Sequence, residues 1–477
     1  MTPTPDAPDS LADLTATQLV GLFASGEATP SQAVDACLAR IEAVDGELNA
    51  VLVLLADSAR AQAAVSDARW AAGTARPLEG VPYGLKDIVA TAGVVTSGGS
   101  ALYRDWVPDA DAALAERLDA AGGVRLAKLH TFEFACGGAE NRTFGPCRNP
   151  WDLSRTTGGS SSGSGAAIAA GEMPLAIGTD TGGSIRIPAA YCGITGIKPT
   201  YGRVPRHGVM GLSWTLDHAG PMTRSVADAA LMLGVIAGRD DRDPTSSSRP
   251  VPDYVAELAA RGSAPAAGMV VGRPRGWFEA VLQPEVAESF EQALAELAEA
   301  GVRVVDVSLP DVDLWDVAAW SVMYPETMSY HSEHAADVEN RDAMGAGIVT
   351  AAPFVHAVDY LRALRYRSTA QAQLAAAMEG VDALVVPGST SVAPPLDAIS
   401  DNDGSADWLL SATRTHIPFN FTGSPGLCVP SAPAAGLPAS LQFVGRPHAE
   451  STLFALGAAY QSVTEHHLAR PRLLAGV

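Results

Sequence analysis

Apolar positions first recur on a helical face near the start of the chain. Thr29-Pro30-Ser31-Gln32 supplies an N-cap, a proline at the first helical position and a capping-box glutamine, and Ala33, Val34, Cys37, Leu38 and Ile41 then fall on one stripe. Helices are therefore expected over residues 1–75. From Leu78 to Val94 the pattern changes to short apolar runs broken by glycine and proline, "LEGVPYGLKDIVATAGV", expected as buried strand and turn with Lys86 inside. Ala110 to Ala121 reads as helix and "GGVRLAKLH" as strand, which puts Lys128 and His130 near a strand end. Asn149 to Thr157 is polar and irregular. It opens into "GGSSSGSG" (158–165), a small-residue helix "AAIAAGEMPLAIG", and "TDTGGSIRIPAAYCGITGIKPTYGRVPRHG" (179–208).

Farther along, Met269 to Val271, a helical stretch from Glu285 to Glu299 and "GVRVVDVSLP" (301–310) read as strand, crossover helix and strand, the unit of a parallel sheet. Residues 313–375 read as mostly helical and carry Trp315, Trp320, Met323 and Tyr324, and "ALVVPGST" (383–390) reads as a last strand. No repeat, low-complexity linker or charge run marks a boundary, so 1–477 is taken as one unit whose motifs crowd into 78–210.

Composition narrows the class. With 47% hydrophobic and 18% charged residues the chain can bury a large core. It has no apolar run of membrane-spanning length, and its first residues lack the pattern of a secretory leader, so a cytoplasmic protein with no membrane partner is expected. A formal charge of −21 disfavours direct nucleic-acid binding, which rests on clustered cations. Cys37, Cys136, Cys147, Cys192 and Cys428 are scattered without a C-x-x-C pair and read as buried free thiols. Only Lys86, Lys128 and Lys198 are lysines. Drift in a biased composition explains such scarcity, and so does a need for an amine that can lose its proton, which arginine cannot.

Several patterns for chemistry fail on inspection. A phosphate loop needs a lysine after the glycines, and a dinucleotide fingerprint needs an apolar strand before them, where "NPWDLSRTT" is polar. Gly159-Ser160-Ser161-Ser162-Gly163 matches G-x-S-x-G, which would make Ser161 the nucleophile, but that elbow also needs a preceding strand. His331, Glu333 and His334 lack metalloprotease spacing and a third ligand, so no metal is expected. Gly182-Gly183-Ser184 is a better nucleophile turn, because backbone N–H groups there can converge beside the Ser184 hydroxyl. Serine needs a base, and Lys86 can serve if burial lowers its pKa.

The stretch "GGSSSGSGAAIAAGEMPLAIGTDTGGSIRIPAAYCGITGIKPTYGRV" resembles the amidase signature family. The resemblance continues through residues 78–100, 126–138, 144–152 and 421–445. It implies a Ser-cisSer-Lys triad of Ser184, Ser160 and Lys86, the two serines 24 apart (184 − 160), as in family members. It further implies a cis peptide bond before Ser160 and an oxyanion hole from the N–H groups of Thr181, Gly182, Gly183 and Ser184. Asp180 and Arg186 would buttress the loop, and Ser161 and Ser162 would hydrogen-bond Lys86. The implied fold is α/β, a single α/β/α domain around a mixed, largely parallel sheet, with 313–375 as the variable substrate-pocket region. No cofactor is implied.

The implied activity is amide hydrolysis through an acyl-enzyme on Ser184, with esters and carbamates (urethanes) open to the same chemistry. The expected partner is a small-molecule substrate, beside a second copy of the chain, since family members are often homodimers. Three alternatives remain: the glutaminase subunit of a tRNA-dependent amidotransferase, a non-catalytic binding protein with the same fold, and a Ser161 esterase. The first carries an "MDEFAMG"-like stretch where this chain has "HTFEFACGG" (130–138), which favours a plain amidase.

Overall fold

A computed structural model describes residues 10–136, 138–334, 347–348, 350–399 and 402–474. Its strands are β1 (Val51–Leu54), β2 (Pro82–Lys86), β3 (Val124–Leu129), β4 (Arg148–Asn149), β5 (Asp152–Thr156), β6 (Leu175–Asp180) and β7 (Thr195–Lys198), followed by β8 (His218–Thr223), β9 (Val270–Pro274), β10 (Arg303–Val307), β11 (Ala383–Pro387), β12 (Gly426–Ala434) and β13 (Leu437–Val444). An 11-stranded sheet runs in the order β1-β3-β2-β6-β8-β7-β12-β13-β11-β9-β10. The mixed α/β sheet expected from the sequence is present. Its parallel neighbours are β3-β2-β6 towards one edge and β11-β9-β10 at the other, with antiparallel pairs between.

Helices cover both faces, and strand alternation divides the core between them. Leu175 and Ile177 of β6 join the same cluster as Leu427 and Val429 of β12, whereas Ala176 and Cys428 face the opposite cluster. The Thr29/Gln32 capping box opens the helix Pro30–Leu48, and the helices Ala113–Ala120 and Pro284–Glu299 fall where periodicity places them. All five cysteines are buried, and Cys37, Cys147, Cys192 and Cys428 are free thiols. Among the described residues, no helix is long and apolar enough to cross a membrane.

Two local readings change. The segment read as one small-residue helix is instead the helix Ser162–Ala169 followed by β6, because Gly171 takes φ +70° and Pro174 follows it. The irregular stretch before the glycines contains the β4–β5 hairpin. A strand therefore precedes "GGSSSGSG" after all, but as a two-stranded ribbon outside the main sheet. In the 313–375 region, the helices Val312–Tyr330 and Ala357–Ala377 are described and pack together, with 335–346 outside the described residues. His331 is buried against the Phe134 ring, and the side chain of His334 lies outside the described residues.

Candidate active site

Lys86 ends β2 and Asp180 ends β6, its parallel neighbour. Parallel neighbours finish at the same sheet edge, so the turn after β6, which carries Ser184, is delivered beside Lys86. Tyr83 and Leu85 belong to the core on one face, and alternation sends Lys86 to the other, where it meets Ser160. Lys86 Nζ lies 2.7 Å from Ser160 Oγ and 2.8 Å from Thr179 Oγ1 in a fully buried setting. Among the described residues no carboxylate forms an ion pair with it. Burial pushes the amine down to about 7, against the through-space pull of Asp180 and Asp217.

The Gly159–Ser160 peptide bond is cis. Ser160 and Ser184 line one pocket together with Gly159, Thr181 and Gly182. Ser161 and Ser162 do not reach Lys86, contrary to expectation. Ser161 Oγ donates to Thr179 O and accepts from Thr179 N, both at 3.2 Å, and Ser162 Oγ lies 3.0 Å from His130 Nδ1. Gly178 permits this close approach: a Cβ there would meet Ser161 Oγ at 3.0 Å and Ile185 at 2.9 Å. Ser161, fully buried and tied to the β6 backbone, is badly placed to attack anything.

The turn carrying Ser184 is held from below by an ionic cluster. Asp180 accepts from Arg186 Nε and Nη2, both at 2.9 Å, from Asn420 Nδ2 at 2.8 Å, and from the Gly183 and Ile185 N–H groups at 2.9 and 3.2 Å. Burial alone would raise its carboxyl, but the Arg186 guanidinium, Lys198 and the Asn420 amide together hold it well below the usual carboxylate range. Arg186 is itself fixed by Gln442 Oε1 at 2.7 Å and Asn420 Oδ1 at 2.6 Å. Gly183 adopts φ +129°, and a Cβ there would meet His416 at 2.9 Å. Because the Gly183 N–H serves Asp180, only the Thr181, Gly182 and Ser184 N–H groups are left without an acceptor among the described residues.

Sequence reasoning missed Thr179, Asp217, Asn420 and Gln442. It flagged Lys198 by scarcity but gave it no role. Lys198 Nζ donates to Ser424 O at 2.5 Å and lies 3.3 Å from His218 Nε2, while His218 Nδ1 donates to Leu216 O at 2.6 Å. Burial, then Arg186, pushes Lys198 well below the usual lysine range. Asn420 immediately precedes the C-terminal stretch at 421–445 that carries the resemblance, the only hint available.

The arrangement can pass a proton from a serine hydroxyl to a neutral amine, which is what serine attack on a carbonyl requires. Fold and site thus define a class in which lysine, not histidine, sits behind the serines. A family model described as Amidase matches residues 32–454, and the chain belongs to the amidase signature family. The chain is 42% identical over 475 residues to a glutamyl-tRNA(Gln) amidotransferase subunit of Roseiflexus sp. (strain RS-1), covering 94% of this chain and 96% of that one. The native peptide amidase from Stenotrophomonas maltophilia superposes with TM-score 0.82 at 33% identity, covering 96% and 97%. A chain from a vestigial protein complex that reveals the evolutionary origins of an s-triazine catabolic enzyme gives TM-score 0.88 at 32% identity, covering 96% and 100%.

These relatives correct one expectation. A small molecule and at most a second copy were expected as the only partners, with no nucleic acid and no membrane. Proteins similar along nearly their whole length are named as subunits of a tRNA-dependent enzyme, and a solved neighbour comes from a protein complex, so that account of partners does not hold. The small-molecule expectation came from the plain-amidase reading of the resemblance, and the net charge of −21, used against nucleic acid, is a whole-surface sum that says nothing about local, uncharged contact surfaces.

Proposed function

We propose that the chain cleaves carboxamides through an acyl-enzyme on Ser184. The observation that carries this is Lys86, pushed to about 7 and within 2.7 Å of Ser160 Oγ, beside the pocket that Ser160 shares with Ser184. Ser184 gives its proton to Ser160 as its Oγ bonds the carbonyl carbon, and Ser160 gives its own proton to Lys86 Nζ. The Thr181, Gly182 and Ser184 N–H groups face the developing oxyanion. Collapse breaks the C–N bond, and the proton returns through Ser160 to the departing nitrogen. Water then repeats the sequence and releases the acid. Esters and carbamates fit the same steps.

The acyl side is apolar. Phe132, Ile187, Leu212, Trp320, Met323, Ile348 and Trp408 line the pocket, and none of its described lining residues is Asp, Glu, Lys, Arg or His. A free α-amino acid would leave an ammonium and a carboxylate desolvated there at several kcal/mol per ion, so the lining favours an alkyl or aryl acyl group. The relatives favour a second reading and support it more than they support a stand-alone amidase: that the chain releases ammonia from glutamine as one subunit of a tRNA-dependent amidotransferase. Hydrolysis of aryl amides, primary amides, a carbamate and glutamine, by the chain alone and after pull-down with the proteins it binds, decides between them. Turnover of apolar amides lost in Ser184→Ala, Ser160→Ala and Lys86→Ala is expected; turnover confined to glutamine, or gained only with a bound partner, would establish the amidotransferase reading instead.

A further inference from the structure

The loop before β8 and the helix Val312–Tyr330 meet at two buried carboxylates that the proposed steps do not use. Asp217 accepts from Thr181 Oγ1 at 2.6 Å, Leu212 N at 2.9 Å and Ser213 N at 3.0 Å. Glu326 accepts from Ser213 Oγ at 2.5 Å, Thr215 Oγ1 at 2.9 Å and Tyr360 Oη at 3.0 Å. Trp320 and Met323, which wall the pocket, lie on the same helix, with Met323 one turn before Glu326. A continuous chain thus runs from the pocket wall through Glu326, Ser213 and Asp217 to Thr181, three residues before Ser184.

We propose that Asp217 is a positioning residue that fixes the oxyanion turn by gripping the Thr181 hydroxyl, and that Glu326 ties this grip to the pocket-walling helix. A carboxylate suits the task because it can accept from Thr181 and two backbone N–H groups at once, which no neutral side chain does. The turn needs an outside grip on this side, because the Asp180 carboxylate takes the N–H groups of Gly183 and Ile185, farther along the turn than Thr181. The two carboxylates that bear on Lys86 through space are Asp180 and Asp217, so the second also sets the charge environment of the base.

The inference rests on the Ser184 reading, and its test separates the two. In the intact chain, Asp217→Asn and Thr181→Val are each expected to lower kcat on the order of 10–100-fold with little change in KM. Thr181→Ser, which keeps the hydroxyl, should restore wild-type kcat, and the Asp217→Asn/Thr181→Val double variant should lose no more than the worse single. Asp217→Asn should also move the acid limb of kcat/KM to lower pH, because one carboxylate that holds the proton on Lys86 is gone. Should Asp217→Asn fail to fold, the Thr181→Val and Thr181→Ser pair still decides, since neither strands a buried charge. Covalent labelling of Ser184 by a fluorophosphonate gives a readout that needs no substrate. Labelling slowed by Thr181→Val and rescued by Thr181→Ser supports the grip. Equal labelling in all variants, or additive losses in the double variant, overturns it while leaving Ser184 in place; no labelling in wild type overturns the Ser184 reading.

Discussion

Lys86 and Lys128 stand on adjacent parallel strands and are both fully buried, yet they are provisioned in opposite ways. The register pairs Leu85 with Lys128, so Lys128 shares a face with Leu85 and Asp87, and Lys86 takes the other. On its face Lys128 donates to Val89 O and Thr96 Oγ1, both at 2.6 Å, and lies 3.3 Å from Asp87. Among the described residues, Lys86 has only the hydroxyls of Ser160 and Thr179 as hydrogen-bond partners. Burial lowers both amines, but Lys128, with a counter-ion, stays at about 8 while Lys86 reaches about 7. The carboxylate one residue after β2 thus faces Lys128 and not Lys86, whose amine is lowered by its burial.

The largest expected effects follow from exchanging the amines for apolar side chains. Lys86→Met should cut kcat by about 10³-fold or more, since it removes the amine that takes the proton from Ser160, with no loss of resistance to denaturant. Lys128→Met should do the reverse, costing about 3–5 kcal/mol because Asp87 is left buried without its partner, with kcat of the folded fraction near wild type. Steady-state kinetics beside urea unfolding read both. Were Lys86→Met the destabilised variant and Lys128→Met the inactive one, the two lysines would have been assigned the wrong way round.

A pH profile sharpens the contrast. Lys86 works as the neutral amine, so protonation removes activity: kcat/KM should rise with pH through about 7 and level off above it. Each unit below the limb should cost about tenfold. Lys128→Met should leave this limb where it is, because its charge is balanced by Asp87 on the far face. A limb that follows Lys128 instead would mean that the two amines are electrostatically coupled through the sheet.

How much of this was legible depended on distance along the chain. The capping box at Thr29, the strands around Lys86 and Lys128, and the glycine turn before Ser184 show in local pattern, because local steric and hydrogen-bonding rules write them, whereas Ser160 is reached only through the resemblance to the amidase signature family. Thr179 as a partner of Lys86 does not show in local pattern, since it depends on the register of β2 against β6. Asp217 reaches Thr181 across 36 residues and looks like any loop aspartate until the loop closes. Ser161 and Ser162 were misassigned for the same reason: adjacent serines are chemically alike in sequence, and only the face of the loop says that one meets the β6 backbone and the other His130. The apolar, uncharged lining around Ser184 was half visible, in Trp320 and Met323, but helical spacing cannot tell a pocket wall from a core residue.

The smallest effects test the hydroxyls themselves. Thr96→Val removes an acceptor from the Lys128 ammonium and should cost about 1.5–3 kcal/mol of stability, the range for hydrogen bonds to charged groups, with kcat unchanged. Thr179→Val removes the corresponding acceptor from Lys86 and should act on the reaction. A neutral amine has one lone pair, and Nζ can present it to Ser160 only if its N–H bonds point elsewhere; the Thr179 hydroxyl at 2.8 Å is where one of them points. Losing it should lower kcat by about two- to tenfold, the kinetic equivalent of a net hydrogen bond of about 0.5–1.5 kcal/mol, and Thr179→Ser should recover most of the loss. If Thr179→Val instead costs stability and leaves kcat alone, its hydroxyl holds up the sheet edge as Thr96 does, and Lys86 is oriented by Ser160 without help.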